Sequence, residues 1–460
     1  MANKLWGGRF KKKPDAQFEA FSSSFRWDKR LLAHDLKIDA AHVKALSKCG
    51  VLSSLEAKKL LLAIALLEKR RQKGSLKLNE HSEDVHSAVH AQLKDLVGDL
   101  ADKLHTGRSR NDLVSQSTRL YCKEQIDLLL SQVSRLQKEI VLKAEKYRQL
   151  LVPGMTHLQN AQVISQGHIF LAYVEMLERA KFRLEGGKVL CDVCVLGSGA
   201  LGGVTFKLDQ KLIAKELGLS KITPNSYDVS GDRDFALNLL SCILLTGLEL
   251  SRIAEDLMLG QTRGFGWADI DQAFCTGSSM MPQKKNADFV ELARGAAGVF
   301  MGNFLGMATT LKALPTSYNR DLQWDKKYLF DSVEHVTQLL EIFVKVFRTL
   351  RIHEQRAQEL LSDESLYATD LADMLVGKGV PFKEAHDQVG QIVSFAEERG
   401  LPLSKIGLDI LKSFAPRLDG NVYTLFDPRH SVLMKKTAGS THLSEVKKQI
   451  QFWKKQLRGV

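Results

Sequence analysis

The stretch Phe235-Ala236-Leu237-Asn238-Leu239-Leu240-Ser241-Cys242-Ile243-Leu244-Leu245-Thr246-Gly247 decides the fold class. It is apolar on nearly every side of a helix, so it reads as a helix buried all round, not as an amphipathic surface helix. Four more long apolar-periodic segments accompany it, and the five cover 113–150, 160–195, 233–262, 287–312 and 322–352. Each is longer than an ordinary helix of a globular domain. Pro153, Pro224, Pro282 and Pro315 fall between these segments and none falls inside one. A proline inside a helix removes a hydrogen bond and clashes with the preceding turn, at a cost of about 3 kcal/mol. The expected fold is therefore all-α, a three-domain subunit with a central bundle of five long helices. The domains are expected at 1–107 (helical), 108–357 (the bundle) and 358–460, where Pro381, Pro402, Pro416 and Pro428 punctuate shorter helices. A helix apolar all round needs neighbours on every side, which predicts a homo-oligomer with a shared core.

Composition narrows the function. The formal net charge of +12 invites a nucleic-acid reading, but there is no basic–aromatic interleaving and no nucleic-acid motif. Much of the excess is a C-terminal run, Lys435, Lys436, Lys447, Lys448, Lys454, Lys455 and Arg458, of the kind that forms a solvated helix face. A positive field also gathers a multiply anionic small molecule. Gly295–Leu311 carries no charge, but it is too short to span a bilayer and contains Asn303. Its glycines at 298, 302 and 306 predict close approach to neighbouring helices. No membrane partner is expected. Gly197-Ser198-Gly199-Ala200-Leu201-Gly202 matches the G-x-G-x-x-G pattern of dinucleotide sites. Val204–Leu208 does not open a helix, however, and no strand–helix–strand rhythm is evident, so no dinucleotide cofactor is expected.

His86 and His90 stand four apart, but the glutamate that follows the first histidine of zinc-protease helices is absent, so no metal is expected. Cys191-x-x-Cys194 lacks a second pair, and the six cysteines read as small core residues of a protein kept in a reducing cytoplasm. The basic N-terminus, Met1–Lys13, is not followed by an apolar stretch of secretory type. Ser53–Arg71 opens on a serine cap and is expected to turn Leu55, Leu60, Leu61, Leu62, Leu66 and Leu67 toward one side.

Four polar stretches interrupt the helical pattern. Thr276-Gly277-Ser278-Ser279-Met280-Met281-Pro282-Gln283-Lys284-Lys285-Asn286 is small, polar and cationic, and ends where a helical segment starts. A serine is a poor base unless its alkoxide is stabilised, and free backbone N–H groups, a lysine and a helix N-terminus are devices that do so. On composition alone an ordinary Ser/Gly-rich loop remains the other reading. His105-Thr106-Gly107-Arg108-Ser109-Arg110-Asn111-Asp112 packs guanidinium, hydroxyl and amide groups before a long helix, as a carboxylate or phosphate cradle does. A capped helix start with solvated arginines is its alternative. Gly154–Gln159 places His157 at a break expected between two helices, and Leu314–Lys326 offers Tyr318, Gln323 and Lys326 before the fifth helix.

Taken together these strings resemble the argininosuccinate lyase family, within the fumarase/aspartase superfamily that also holds adenylosuccinate lyase and the delta-crystallins. The resemblance rests on Leu5-Trp6-Gly7-Gly8-Arg9-Phe10, Glu83-Asp84-Val85-His86, His105–Asp112, Thr156-His157-Leu158-Gln159, Asp232-Arg233-Asp234-Phe235, the serine loop, Ala368–Asp373 and Gly379–Phe382. It implies a homotetramer with a twenty-helix core, active sites shared between subunits, and no metal or organic cofactor. It also implies a carbon–nitrogen lyase that splits argininosuccinate reversibly into L-arginine and fumarate, the last step of arginine biosynthesis. By that resemblance Ser278 is the base, Lys284 and Asn286 hold the carboxylate that gains charge, and His157, backed by Glu291, assists protonation of the leaving group or binds a carboxylate. Ser109, Arg110, Asn111 and Thr156 take the fumarate-forming end, while Ser24, Asp28, Tyr318, Gln323 and Lys326 take the arginine-forming end.

Several positions depart from the family pattern. Asn160 stands where arginine is usual, Val163 where proline is, His90 for glutamate, Leu113 for glutamine, Arg320 for lysine and Trp324 for glutamate, and Val229-Ser230-Gly231 differs before Asp232. None removes a proposed catalytic group. The alternatives are another fumarate-releasing lyase of the superfamily, such as adenylosuccinate lyase or aspartase, and a catalytically silent crystallin-like protein.

Overall fold

Proline placement marks the helix ends in the computed structural model, which describes Lys12 and residues 14–459. Five long helices appear: α1 (Arg110–Lys146), α2 (Gln166–Cys191), α3 (Asp234–Gln261), α4 (Asp288–Leu311) and α5 (Asp325–Thr349). Shorter helices occupy most of the remaining chain, and the strands among the described residues form only two-stranded pairs. The Leu5–Phe10 motif lies outside the described residues.

One expected segment, 160–195, is not helical throughout. Its start belongs to a hairpin of β1 (Leu151–Thr156) and β2 (Gln159–Ser165), antiparallel with Leu151 opposite Ser165, and α2 begins only at Gln166. The strand is held by its inward side. Val163 packs with Leu366, Tyr367 and Val432, and the Ser165 N–H donates to Thr441 Oγ1 at 2.7 Å. The two-residue loop His157-Leu158 has both residues in the left-handed region, φ 57° and 58°. Hairpins of this kind normally place Asn or Gly there, so nothing in these residue types announced the turn.

The chain divides into two compact units. The first comprises residues up to 130 with 180–247 and 296–337, and the second comprises 131–179, 248–295 and 338–460. In the first, Ile38, Ala41 and Ala45 of helix Leu32–Lys48 pack with Leu113, Leu120, Cys194 and Ile213. Helix Ser54–Gln72 opens with the expected cap, a reciprocal box between Ser53 and Glu56. Its leucines divide differently from the expectation. Leu60 and Leu67 are buried, whereas Leu55, Leu62 and Leu66 are exposed, because positions 55, 62 and 66 follow one another along the opposite face.

Glycine matters where helices cross. A Cβ on Gly247 would stand 2.4 Å from the Phe300 ring, and one on Gly306 would stand 2.6 Å from Tyr328. Gly298 and Gly302 meet nothing within 4 Å, so only Gly306 of the three meets the close neighbour that their spacing predicts. The burial argument for α3 also changes. Phe235, Ala236, Leu239, Leu240, Ile243 and Leu244 are buried within the single chain, so α3 is largely a core helix by itself. Exposed apolar side chains remain on α4, at Leu292, Val299, Met301 and Leu305, and on α2, at Phe182, Val189 and Leu190.

The glycine-rich stretch has more regular surroundings than its sequence suggests. Val193-Cys194 pairs in parallel with Lys221-Ile222, and helix Gln210–Leu217 lies between them in sequence. That helix starts well after Gly202, so the glycine turn does not open it as a dinucleotide site requires. In the second unit, Leu371, Leu375, Val389, Ile392 and Leu411 build a C-terminal core from short helices. The six cysteines are free thiols, and Cys122, Cys191, Cys194 and Cys242 are buried.

Both histidines of the His86/His90 pair are engaged by carboxylates, His86 Nδ1 with Asp35 and His90 Nε2 with Asp102 at 3.0 Å. Asp35 also accepts from Ser117 Oγ at 2.7 Å. Burial disfavours charge on His86, but Asp35, Asp84 and Asp28 more than offset it and hold its pKa at about 9. Since this lies above the unfolded value, the stabilisation is complete below about pH 6.5 and is lost as pH rises through about 9. The melting temperature of the wild type should therefore fall between pH 7 and 9.5. In calorimetry the His86→Gln variant should start lower and show a smaller fall over that interval; equal slopes would contradict the assignment.

Candidate functional site

The first unit holds a cavity of about 250 Å³ whose walls come from five places in the sequence, Arg233 being one of them. Ser24 and Asp28 enter from a short helix, Glu83 and Asp84 from the start of helix Val85–Val97, Arg110 and Asn111 from the start of α1, and Tyr318–Lys326 from the approach to α5. Helix starts supply polar groups for a simple reason: their first N–H groups have no partner within the helix and recruit side-chain acceptors. Asp84 caps its helix by accepting the Ser87 N–H at 2.8 Å. At the start of α1, the Asn111 N–H donates to Ser109 Oγ at 3.2 Å while the Ser109 N–H donates to Asp112 Oδ1 at 2.9 Å, a reciprocal box.

The floor is a chain of buried charges. Arg233 Nε donates to Asp325 Oδ2 at 2.6 Å, and Lys326 Nζ donates to Asp325 Oδ1 at 3.1 Å. Lys326 Nζ also stands 3.9 Å from Asp28 Oδ1. Burial opposes the charge on Lys326, but Asp325 and Asp28 outweigh it and raise its pKa. Burial likewise opposes ionisation of Asp325, and Lys326 and Arg233 outweigh it. Asp28 has weaker support. Ser24 Oγ donates to its Oδ2, Oδ1 accepts no hydrogen bond, and burial pushes its pKa up to about 6 against the pull of Lys326 and His86. The floor thus carries one acceptor that no protein donor satisfies, a fitting partner for a cation.

The rim is tied by Arg110, which pairs with Glu83 at 2.9 Å and Asp84 at 3.0 Å and donates to Ser87 Oγ at 3.0 Å. Arg320 and Gln323 both donate to the Ser22 carbonyl, at 3.1 and 2.9 Å, and so position the Ser23-Ser24 turn. Trp324 turns away from the cavity and meets Phe21 edge-on at 6.2 Å. Gly231 allows the Tyr318 loop to come close, since a Cβ there would stand 2.3 Å from the Ser317 carbonyl oxygen.

Of the expected site residues, the cavity gathers Ser24, Asp28, Arg110, Asn111, Tyr318, Gln323 and Lys326. Ser109 lies beside them in the α1 turn. Lys326 is in the first turn of α5, not ahead of it. Glu83, Asp84 and Arg233 also line the cavity. Sequence reading quoted them as parts of motifs without giving them roles, although acidic residues directly before a helix were the available signal. Thr156, His157, Ser278, Lys284, Asn286 and Glu291 are absent from its lining and lie in the second unit.

There Thr156 ends β1 and His157 opens the two-residue turn, and both are exposed. The expected helix–helix break is thus a hairpin tip. The serine loop is closed at its neck by a two-hydrogen-bond bridge between Thr276 and Asn286, at 2.9 and 2.8 Å. Asp288, in the first turn of α4, accepts both the N–H and the hydroxyl of Thr276. Lys285 is anchored to Asp269 at 2.8 Å, while Lys284 and Glu291 are exposed. At the loop's tip, Ser278 Oγ accepts the N–H groups of Met280 and Met281, at 3.2 and 3.0 Å. Two backbone donors on one hydroxyl oxygen stabilise negative charge there.

Comparison with known proteins finds relatives over nearly the whole chain. Residues 8–302 match the family model described as Lyase, and residues 365–433 match the one described as Argininosuccinate lyase C-terminal. The chain is 41% identical over 440 residues to the argininosuccinate lyase of Caldanaerobacter subterraneus subsp. tengcongensis, covering 96% of this chain and 100% of that protein. It is 40% identical over 458 residues to that of Desulforudis audaxviator, covering 100% of each. A solved EDDS lyase variant with bound fumarate matches with a TM-score of 0.82 at 26% identity, over 97% of this chain and 91% of that one.

The Asp28 floor carries a pH signature. Asp28 accepts a cation only when ionised, and with a pKa of about 6 it loses its charge as pH falls below that value. Binding of a guanidinium-bearing ligand, followed by calorimetry, should weaken roughly tenfold between pH 7 and pH 5. Asp28→Asn should bind weakly and show no such dependence.

Proposed function

The chain belongs to the argininosuccinate lyase family, and from that premise we propose how its residues carry the reversible anti elimination of argininosuccinate to L-arginine and fumarate. The observation that supports the assignment most directly is the double N–H donation to Ser278 Oγ. A proton on carbon beside a carboxylate is removed only if base and developing dianion are both stabilised. Ser278, as the alkoxide, takes the Cβ proton of the succinyl half. The electron pair moves into the carboxylate to give an aci-carboxylate dianion, which Lys284 and Asn286 neutralise. The dianion then collapses, the bond from carbon to the guanidinium nitrogen breaks, and His157 with Glu291 assists protonation of the departing arginine.

Ser109, Arg110, Asn111 and Thr156 hold the fumarate-forming end. Ser24, Asp28, Tyr318, Gln323 and Lys326 hold the arginine-forming end, where the unsatisfied Asp28 oxygen suits a cation. The reaction proceeds without metal or organic cofactor. A loop rich in Gly and Ser on a closed neck is suited to moving over the substrate and excluding water.

Assembly completes the proposal. The exposed apolar side chains of α4, Leu292, Val299, Met301 and Leu305, are a surface that a stable soluble subunit covers. The chain is read as a homotetramer with a twenty-helix core, each subunit divided into domains at 1–107, 108–357 and 358–460. Each active site combines the Arg110 turn, the His157 hairpin and the Ser278 loop of different subunits. The enzyme works in the cytoplasm on small molecules, without a nucleic-acid or membrane partner.

Purified protein given argininosuccinate should produce fumarate, read by its ultraviolet absorbance. Ser278→Ala should lower kcat by about 10³-fold and His157→Asn by about 10²-fold, within the range of general acid–base catalysis, with assembly unchanged. Near-normal turnover by Ser278→Ala would remove the serine from its role. Turnover of adenylosuccinate in place of argininosuccinate would move the enzyme to a sister activity.

A further inference from the structure

Asp112 is fully buried, and each of its carboxylate oxygens holds a different piece of backbone. Oδ1 accepts the Ser109 N–H at 2.9 Å, and Oδ2 accepts the Gly199 N–H at 2.9 Å. Gly199 has φ 59°, and a Cβ there would stand 2.8 Å from the Gly203 carbonyl oxygen, so the glycine-rich loop is tightly folded where Asp112 grips it. The same loop returns a second contact to the turn, with Asn111 Nδ2 donating to the Ala200 carbonyl at 3.4 Å. The stretch that resembles a dinucleotide fingerprint therefore has an N–H turned to a carboxylate of its own chain.

We infer that Asp112 is a positioning residue for the reaction, clamping the Ser109-Arg110-Asn111 turn against the glycine-rich loop so that its polar groups meet the fumarate carboxylates in fixed geometry. The inference rests on the reading that this turn binds the fumarate-forming end. Three features support it. The two acceptors are spent on backbone donors, one from each side, so Asp112 is spanned between two loops and touches no ligand itself. Asn111, the side chain adjoining it, is oriented by the very loop that Asp112 pins. The ionised carboxylate accepts strongly at both oxygens; protonation puts a hydrogen on one of them and makes it a weaker acceptor for its N–H group.

Ionisation is expensive at this place. Burial pushes the Asp112 carboxyl up to about 7, against the Ser109 N–H, the Arg108 guanidinium and the N–H groups of Gly199 and Gly197. Arg108 is itself paired with Asp39 at 2.5 Å. Across the strand end, Cys194 is a buried thiol whose own pKa burial raises to about 12, so it adds no charge near neutrality. The clamp is therefore about half formed near pH 7, approaches completion about a pH unit above it and loosens as pH falls.

The reverse reaction, arginine with fumarate, separates the two ends of the site. In wild-type enzyme the KM for fumarate should rise as pH falls from 8 to 6, while the KM for arginine stays within twofold down to pH 6.5. Asp112→Asn keeps one acceptor but turns an amide N–H₂ toward a backbone N–H. Its KM for fumarate should be raised about tenfold at pH 8 and should no longer change through pH 7, with the KM for arginine again within twofold. Equal movement of both KM values, together with a lower melting temperature, would reduce Asp112 to a structural residue and overturn the inference. So would a fumarate KM that is flat with pH in the wild type, a readout that survives even if the variant does not fold. Arg110→Lys run in parallel tests the underlying reading: if it leaves the fumarate KM unchanged, the turn does not bind fumarate at all. If it raises that KM while Asp112→Asn does not, the turn's role stands and the clamp alone is refuted.

Discussion

The run of buried charges from Arg233 through Asp325 and Lys326 to Asp28 is the interaction on which the first unit's cavity depends. Charges removed from water cost several kcal/mol each unless they are paired and hydrogen-bonded. Here the pairing joins three parts of the chain: the residue just before α3, the first turn of α5 and the short helix that carries Asp28. Removing one member strands its partners, at roughly 3–5 kcal/mol for a buried pair. The network therefore fixes where two long helices begin, and with them the wall formed by Tyr318 and Gln323. Asp28 Oδ1 is left in this network without a hydrogen-bond donor.

The two loops of the second unit that carry His157 and Ser278 are held in different ways. His157 and Leu158 both sit in the left-handed region, which costs an ordinary residue about 1 kcal/mol or more and persists only where the surroundings impose it. Here a strand pair locked by Val163 and Ser165 imposes it. The Ser278 loop is held in a different way, by its neck and by Asp288, while its tip stays open to solvent with Met280 fully displayed.

The sequence made the helices legible because prolines and apolar periodicity are local signals. Part of the first unit's cavity lining, such as Ser24, Asp28, Arg110 and Asn111, was legible because helix starts rich in Ser, Arg, Asn and Asp announce themselves. What it hid was less local. The hairpin at 151–165 merged into the helical pattern of α2, since Val163 and Ile164 suit either structure and the turn lacked its usual glycine. Leu55, Leu62 and Leu66 were assigned to the covered side of their helix because leucine count says nothing about which face a neighbour takes. All-round apolarity marks both 233–262 and 287–312 as helices wanting neighbours, but it does not tell that α3 finds many of them within its own chain while α4 and α2 keep apolar side chains in water. Asp112, a plain cap residue in sequence, acquires its meaning only from the glycine loop it reaches across the fold.

The central claim is that a working site combines residues of different subunits, with His157 and Ser278 supplied by separate chains. The direct measurement is activity after mixing Ser278→Ala and His157→Asn enzymes, dissociating them and allowing them to reassociate. The account predicts that each variant alone is nearly inactive and that the reassociated mixture recovers a substantial fraction of wild-type turnover, because some sites then contain neither substitution. Absence of recovery in tetramers proven to be mixed, or full activity in a monomer by sedimentation, would contradict it.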